Sequence, residues 1–147
     1  MERSLVLIKP DAIHRGLTGE IISRLEKKGL KLVAMKMIHM TKSMAEKHYA
    51  VHKSRPFFEE LVSFITSSPV IAIVFQGGNV VNIIRRSMGE TNPAESASGT
   101  IRGDFAINIE HNLIHGSDSP ENATKEISLF FSSGELLDYS REIDRWT

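Results

Sequence analysis

Two patterns of apolar residues run along the chain, and they predict different elements. Ser4-Leu5-Val6-Leu7-Ile8 is continuously apolar and stops at Lys9-Pro10-Asp11, which predicts a strand buried on both faces and broken by the proline. Val70-Ile71-Ala72-Ile73-Val74-Phe75 is a second, clearer run of the same kind. Leu30 to Met40 predicts a third strand, with Leu32, Ala34 and Met37 among its apolar positions. Its alternation is too irregular to say which side faces the core. Asn112-Leu113-Ile114-His115 predicts a short fourth strand that ends on a histidine.

Helical periodicity fills the intervals. Ile21, Ile22 and Leu25 give Gly19 to about Lys28 an apolar face, with Thr18 as cap and Gly29 as stop. Ser43 to His52 reads as a helix capped by Ser43. Another begins at Pro56 and runs through Thr66 on Leu61, Val62 and Ile65. After a turn at Gln76-Gly77-Gly78, Asn79 opens a helix to about Met88 carrying Val80, Val81, Ile83 and Ile84. Gly116 is expected to let the backbone turn tightly. A last helix then starts with Ser119 as N-cap, Pro120 first and Glu121 set against the dipole. The order predicts an α/β (α+β) fold, a ferredoxin-like βαββαβ sandwich with a four-stranded antiparallel sheet and helices on one face. Gly89 to Gly103 is the longest polar segment, and in so small a domain such a loop is functional or disordered. The tail after Phe131 carries Leu136, Leu137, Tyr139, Ile143 and Trp146, which predicts packing on the domain or on a partner subunit.

Composition narrows the class. The 147 residues suit one domain, 1–147. Lys plus Arg (18) equals Asp plus Glu (18), so no overall field attracts nucleic acid or an acidic membrane. With no cysteine, disulfides, thiolate metal sites and thiol catalysis are excluded. Met1-Glu2-Arg3-Ser4 does not open a signal peptide, and Val70 to Phe75 is far too short to cross a bilayer. A soluble, cytoplasmic protein is expected.

The chemistry gathers around His115. Its place between a strand and a helix start predicts a position just outside a helix N-terminus, where amide groups and the dipole favour an anion such as phosphate. An imidazole with an intrinsic pKa of about 6.5 is mostly neutral at pH 7, and a neutral ring nitrogen is a competent nucleophile. Glu126, downstream on the predicted helix, is placed to hold the opposite ring nitrogen. Lys9 stands at the carboxyl end of the first strand, where α/β sheets collect ligands. Phe57 and Phe58 point about 100° apart on a helix, so one is free to serve as a platform for a nucleobase. His48 and His52 have zinc-chelating spacing, but no third ligand is evident and no metal site is expected. Tyr49 between them points either into the core or toward a ligand. Lys9, Arg55, Arg85 and Arg102 offer up to four positive charges to a triphosphate, with Thr91 as a hydroxyl donor. Neither G-x-x-x-x-G-K-[ST] nor G-x-G-x-x-G is present. A nucleotide enzyme without them needs another phosphoryl carrier, and His115 supplies one.

Ile8-Lys9-Pro10-Asp11, His48-Tyr49 and Arg55-Pro56-Phe57-Phe58 are joined by three longer motifs: Gly89-Glu90-Thr91-Asn92-Pro93-Ala94, Gly99-Thr100-Ile101-Arg102-Gly103-Asp104 and Asn112 to Ser119. Through these the chain resembles the nucleoside diphosphate kinases, over essentially its whole length from Leu5 to the tail. The resemblance implies ping-pong transfer of a γ-phosphate from a nucleoside triphosphate, mainly ATP, to a nucleoside diphosphate through a phosphohistidine on His115. It implies that Lys9 and Asn112 contact the sugar hydroxyls and that Arg85, Thr91 and Arg102 hold phosphate oxygens. It further implies Phe57 stacked on the base with Ile109 opposite and Leu61 nearby, Tyr49, Ser117 and Glu126 in support, and His52 and Arg55 approaching phosphate as in some relatives. Magnesium (Mg2+) is expected to arrive with the nucleotide, and a homo-oligomer is expected, a hexamer in preference to a tetramer. The alternative from another class is a nucleotide sensor that binds without transfer, against which the unbroken histidine motif and Glu126 argue.

Overall fold

The computed structural model describes residues 1–147. Strand β1 (Glu2–Ile8) leads into a short helix α1 (Pro10–His14) and then α2 (Thr18–Lys27). Strand β2 (Lys31–Ile38) is followed by α3 (Lys42–His48) and α4 (Phe58–Ile65). Strand β3 (Val70–Gly77) precedes α5 (Val80–Met88) and α6 (Ile101–Phe105). Strand β4 (Ile114–Gly116) and α7 (Pro120–Phe130) complete the set. The sheet order is β2-β3-β1-β4, and every neighbouring pair is antiparallel. This is the ferredoxin-like arrangement expected. The register runs from Glu2 opposite Gly77 to Ile8 opposite Ile71, and Leu7 of β1 lies opposite His115 of β4.

Helices cover both faces of the sheet, where the sequence suggested one. Val6, Ile8, Ile73 and Phe75 join Ile21 and Leu25 of α2 and Val81, Ile84 and Met88 of α5 in one core. Leu5, Leu7, Ala72 and Val74 join Phe58, Val62 and Ile65 of α4 and Ile127 and Phe130 of α7 in another. A strand that is apolar at consecutive positions requires this, because alternate side chains point to opposite faces.

Element ends differ from the periodicity in informative ways. Thr41, not Ser43, caps α3, its hydroxyl accepting the Met44 N–H. That helix stops at His48, and Ala50–His52 is a separate 3-10 turn, so His48 and His52 do not share one helix face. Helix α4 starts at Phe58 rather than Pro56, and β3 continues through Gly77. The polar stretch from Gly89 to Gly103 holds a 3-10 turn at Pro93–Glu95 and the start of α6, capped by Asn92 and Thr100 side chains. The tail lies on the domain through polar contacts. The Lys31 ammonium donates to Tyr139 O, the Tyr139 hydroxyl donates to Leu32 O, and the Arg141 guanidinium donates to Gly29 O at 2.9 Å and Leu30 O at 3.1 Å. Leu136 packs against the second core, while Leu137, Tyr139, Ile143 and Trp146 stay exposed. No helix is long and apolar enough to cross a membrane.

Candidate active site

The segment that delivers His115 is strained and heavily tied down. Leu113 has φ +75°, a left-handed conformation that costs a residue other than glycine roughly 1–3 kcal/mol. Its N–H donates to Asp11 Oδ2 at 3.0 Å, and its carbonyl accepts the Lys9 N–H at 2.9 Å. Arg102 donates from Nε to Asn112 O at 3.1 Å, from Nη2 to Ile114 O at 2.7 Å and from Nη1 to Gly89 O at 3.2 Å. Several of these bonds involve a charged partner, worth about 1.5–3 kcal/mol each, so together they outweigh the strain. Arg102 is therefore a strap across the strand as well as a positive charge.

Gly116 serves a purpose other than the tight turn expected of it. It lies in β4, its carbonyl accepting Arg85 Nη1 at 3.3 Å, and a Cβ there would stand 2.6 Å from Met88 Sδ and 3.0 Å from Ile84 Cγ2. The missing side chain lets Met88 and Ile84 of α5 pack this close to the strand that carries His115.

His115 Nε2 lies 3.1 Å from both Glu126 carboxylate oxygens, and the Ser117 hydroxyl donates to Glu126 Oε1 at 2.6 Å. Burial works to raise the Glu126 pKa. The hydrogen bonds from His115 and Ser117, with the neighbouring imidazoles, outweigh it and hold the group below the usual carboxylate range. An ionised carboxylate can only accept, so it draws the ring proton to Nε2 and leaves Nδ1 with a lone pair. Ser119 caps α7 as expected, accepting the Asn122 N–H at 3.1 Å. The ring, however, meets that helix at Glu126, about two turns beyond the cap, so the flank of α7 and not its N-terminus orients the histidine.

His48 packs edge to face on His115, with ring centroids 4.6 Å apart and planes at 84°. Neither of its nitrogens has a hydrogen-bond partner in the chain, and both are closed off from solvent. Unpaired polar groups in such a place cost about 1–3 kcal/mol each. Burial, then repulsion from His115, pulls its pKa down to about 3, so the ring is neutral. Tyr49 is buried beside it at 4.7 Å, which settles the two orientations left open for it in favour of the interior. Burial and the Glu126 charge push its hydroxyl up to about 12. The aromatic trail continues from Tyr49 to His52 and on to Phe57, whose ring is 5.5 Å from that of His52. Phe57 is 41% exposed while Phe58 is buried, the division expected from their 100° separation.

Lys9 Nζ donates to Asn112 Oδ1 at 2.8 Å, and Asn112 Nδ2 donates to Thr91 O at 3.1 Å. Burial, with the nearby Arg102 charge, lowers the Lys9 pKa to about 8. The same cause, with Arg85, brings Arg102 down to about 10, which leaves it charged at neutral pH. Arg85 and Thr91 line a cavity of about 610 Å³ together with Glu90 and Asp118; His115 is not in its wall. Lys9, Arg85, Thr91, Arg102, Asn112, Ser117 and Glu126 thus all touch the segment from Asn112 to Ser117 or each other. Phe57, His52 and Tyr49 reach it through His48, whereas Arg55 and Ile109 are exposed side chains. Sequence reasoning missed Asp11 as the anchor of Leu113, although it closes the Ile8-Lys9-Pro10-Asp11 motif. It also missed that His48 faces His115.

Comparison with known proteins finds relatives over nearly the whole chain. Residues 2–136 match the family described as nucleoside diphosphate kinase. A nucleoside diphosphate kinase of Dehalococcoides mccartyi is 57% identical over 141 residues, covering 96% of this chain and 99% of its own. One from Archaeoglobus fulgidus is 53% identical over 146 residues, covering 99% and 97%. Among solved structures, a halophilic nucleoside diphosphate kinase from Halobacterium salinarum in complex with CDP superposes with a TM-score of 0.96 at 47% identity, covering 99% of this chain and 97% of that one. A nucleoside diphosphate kinase family protein from Babesia bovis gives 0.96 at 43% identity and 99% coverage of both chains.

Proposed function

The chain belongs to the nucleoside diphosphate kinase family and is a phosphotransferase, and from that premise we propose that it moves the γ-phosphoryl group of a nucleoside triphosphate, mainly ATP, onto a nucleoside diphosphate by way of His115. In the first half-reaction Nδ1 of His115 attacks the γ-phosphorus. The N–P bond forms as the bond from phosphorus to the bridging oxygen breaks, and the nucleoside diphosphate leaves. In the second, a terminal oxygen of another nucleoside diphosphate attacks the same phosphorus and the N–P bond breaks, which returns the free ring. The observation that carries this reading is the contact of His115 Nε2 with both Glu126 oxygens, steadied by Ser117. It keeps the proton on Nε2 throughout, so Nδ1 accepts and releases phosphorus without a change of tautomer.

Phosphoryl transfer depends mainly on positioning and charge stabilisation. On this reading Lys9 and Asn112 take the sugar hydroxyls, while Arg85, Thr91 and Arg102 hold phosphate oxygens. Phe57 stacks on the base, and the complex of the halobacterial relative with CDP supports a nucleoside diphosphate as the acceptor. The one group of three metal-ligating side chains is His48, His115 and Glu126, a donor set that does not suit magnesium, which takes oxygens. Magnesium would therefore enter on the phosphates of the nucleotide, where it neutralises part of their charge.

We take residues 1–147 as one such domain and place it in the cytoplasm, whose reducing conditions suit a chain without cysteine. Assembly with copies of itself, a hexamer in preference to a tetramer, is supported by exposed Met35 and Met37 on the edge strand β2 and by Trp146 in the tail. Initial rates at varied donor and acceptor test the reaction scheme. Parallel double-reciprocal lines are expected, and lines that intersect would mean a ternary complex and direct transfer.

A further inference from the structure

We propose that His48, His115 and Glu126 also form an inhibitory binding site for a divalent transition metal, zinc foremost. Each residue offers one ligand atom, and the three atoms lie within 4.8 Å of one another. His115 Nε2 and Glu126 Oε1 are already 3.1 Å apart, close to the ~3.3 Å between ligand atoms in a tetrahedral zinc site with bonds of about 2.0–2.1 Å. Only a His48 nitrogen has to close in. Turning it toward a cation sacrifices no hydrogen bond, because both nitrogens are buried without a partner in the chain. Zinc would give this otherwise unexplained polar ring a bond it lacks.

The donor set selects the metal. Two imidazoles and one carboxylate suit zinc and its transition-metal neighbours and leave a fourth position open. Magnesium and calcium favour all-oxygen surroundings, so the cation carried by the nucleotide does not compete here. His52, four residues on from His48, plays no part, since it lies in the 3-10 turn and packs toward Phe57.

Binding at Nε2 has a chemical consequence, and this part alone rests on the phosphohistidine reading. A neutral ring that gives its Nε2 lone pair to a metal carries its proton on Nδ1. The proton moves between the two nitrogens and none is released. Nδ1 then has no lone pair for phosphorus, so a zinc-loaded chain cannot take up a phosphoryl group.

Calorimetric titration of the purified protein with zinc chloride, free of nucleotide, tests the site. One zinc per chain is expected, magnesium chloride giving no such binding, and His48→Phe weakening zinc at least ~100-fold, a ligand mattering more than the outer partners whose loss costs 10–100-fold. In case that variant folds poorly, nitrogen-15 histidine spectra of the unmodified protein provide a second reading. Addition of zinc should shift the ring signals of His48 and His115 and leave those of His14 and His39 unchanged. Unaltered zinc affinity in a folded His48→Phe, or an unshifted His48 ring, overturns the site. Phosphorylation of the protein at buffered free zinc tests the inhibition separately. Loss of uptake in proportion to zinc occupancy supports it, while full uptake by zinc-saturated protein overturns the inhibitory role without touching the site.

Discussion

From Asn112 to Ser117 the backbone is gripped at nearly every residue, by Arg102 at two carbonyls, Asp11 and Lys9 at Leu113, Arg85 at Gly116 and Leu5 at the Ser117 N–H. Around Phe57 the contrast is complete. Its ring stands 41% exposed at the start of α4, its one aromatic neighbour is His52, and Ile109 is half in solvent. In the first region both oxygens of Glu126 meet one nitrogen of the His115 ring at 3.1 Å. The region around Phe57 presents a flat, half-exposed aromatic face with the His52 ring beside it. The difference fits a transfer that demands accurate geometry at phosphorus and indifference to the base, since a base held by stacking is hardly distinguished from another.

Breaking the tight end should cost most. Glu126→Ala frees the His115 tautomer and is expected to lower kcat about 10²-fold, with KM little changed, measured by steady-state exchange. Gly116→Ala crowds the Met88 and Ile84 side chains of α5 and should cost about 1–3 kcal/mol of stability, read from the urea midpoint. At the loose end Phe57→Ala should weaken nucleotides by about 1–3 kcal/mol. The loss should be alike for adenine, guanine and pyrimidine diphosphates in calorimetric titration; a loss confined to one base would remove the contrast.

A pH profile sharpens the boundary between the two ends. Free Lys9 is charged below its lowered pKa of about 8 and neutral above it, so kcat/KM should fall as pH rises through 8, by about tenfold per unit beyond. Lys9→Arg keeps its charge at these pH values and should lack that alkaline limb. The smallest effect is expected at the α7 cap, where Ser119→Ala should cost about 1 kcal/mol and leave kcat nearly unchanged.

The sheet was legible because Leu5 to Ile8 and Val70 to Phe75 are apolar at consecutive positions, which only a strand covered on both faces explains. The same runs already implied helices on both faces, and the single-faced expectation neglected that. His115, Glu126 and the Phe57/Phe58 division could be read from spacing, whereas the part of Ser117 came only from the resemblance. Leu113 could not, because a left-handed leucine has no local signature and exists only where Asp11 and Arg102 enforce it from elsewhere in the chain. The His48 pairing was hidden for a related reason. Helical spacing suggested His52 as its partner, but α3 ends at His48 and the tertiary fold supplies His115.

The central claim is that one imidazole nitrogen carries the phosphoryl group between two nucleotides. Incubation with γ-labelled ATP, followed by denaturation and digestion, tests it most directly. The account predicts an acid-labile, alkali-stable label on the peptide containing His115, discharged by any nucleoside diphosphate and absent from folded His115→Ala, which should still bind nucleotide. Protein that exchanges phosphate without ever acquiring label, or a His115→Ala chain that labels as well as the natural one, would contradict it.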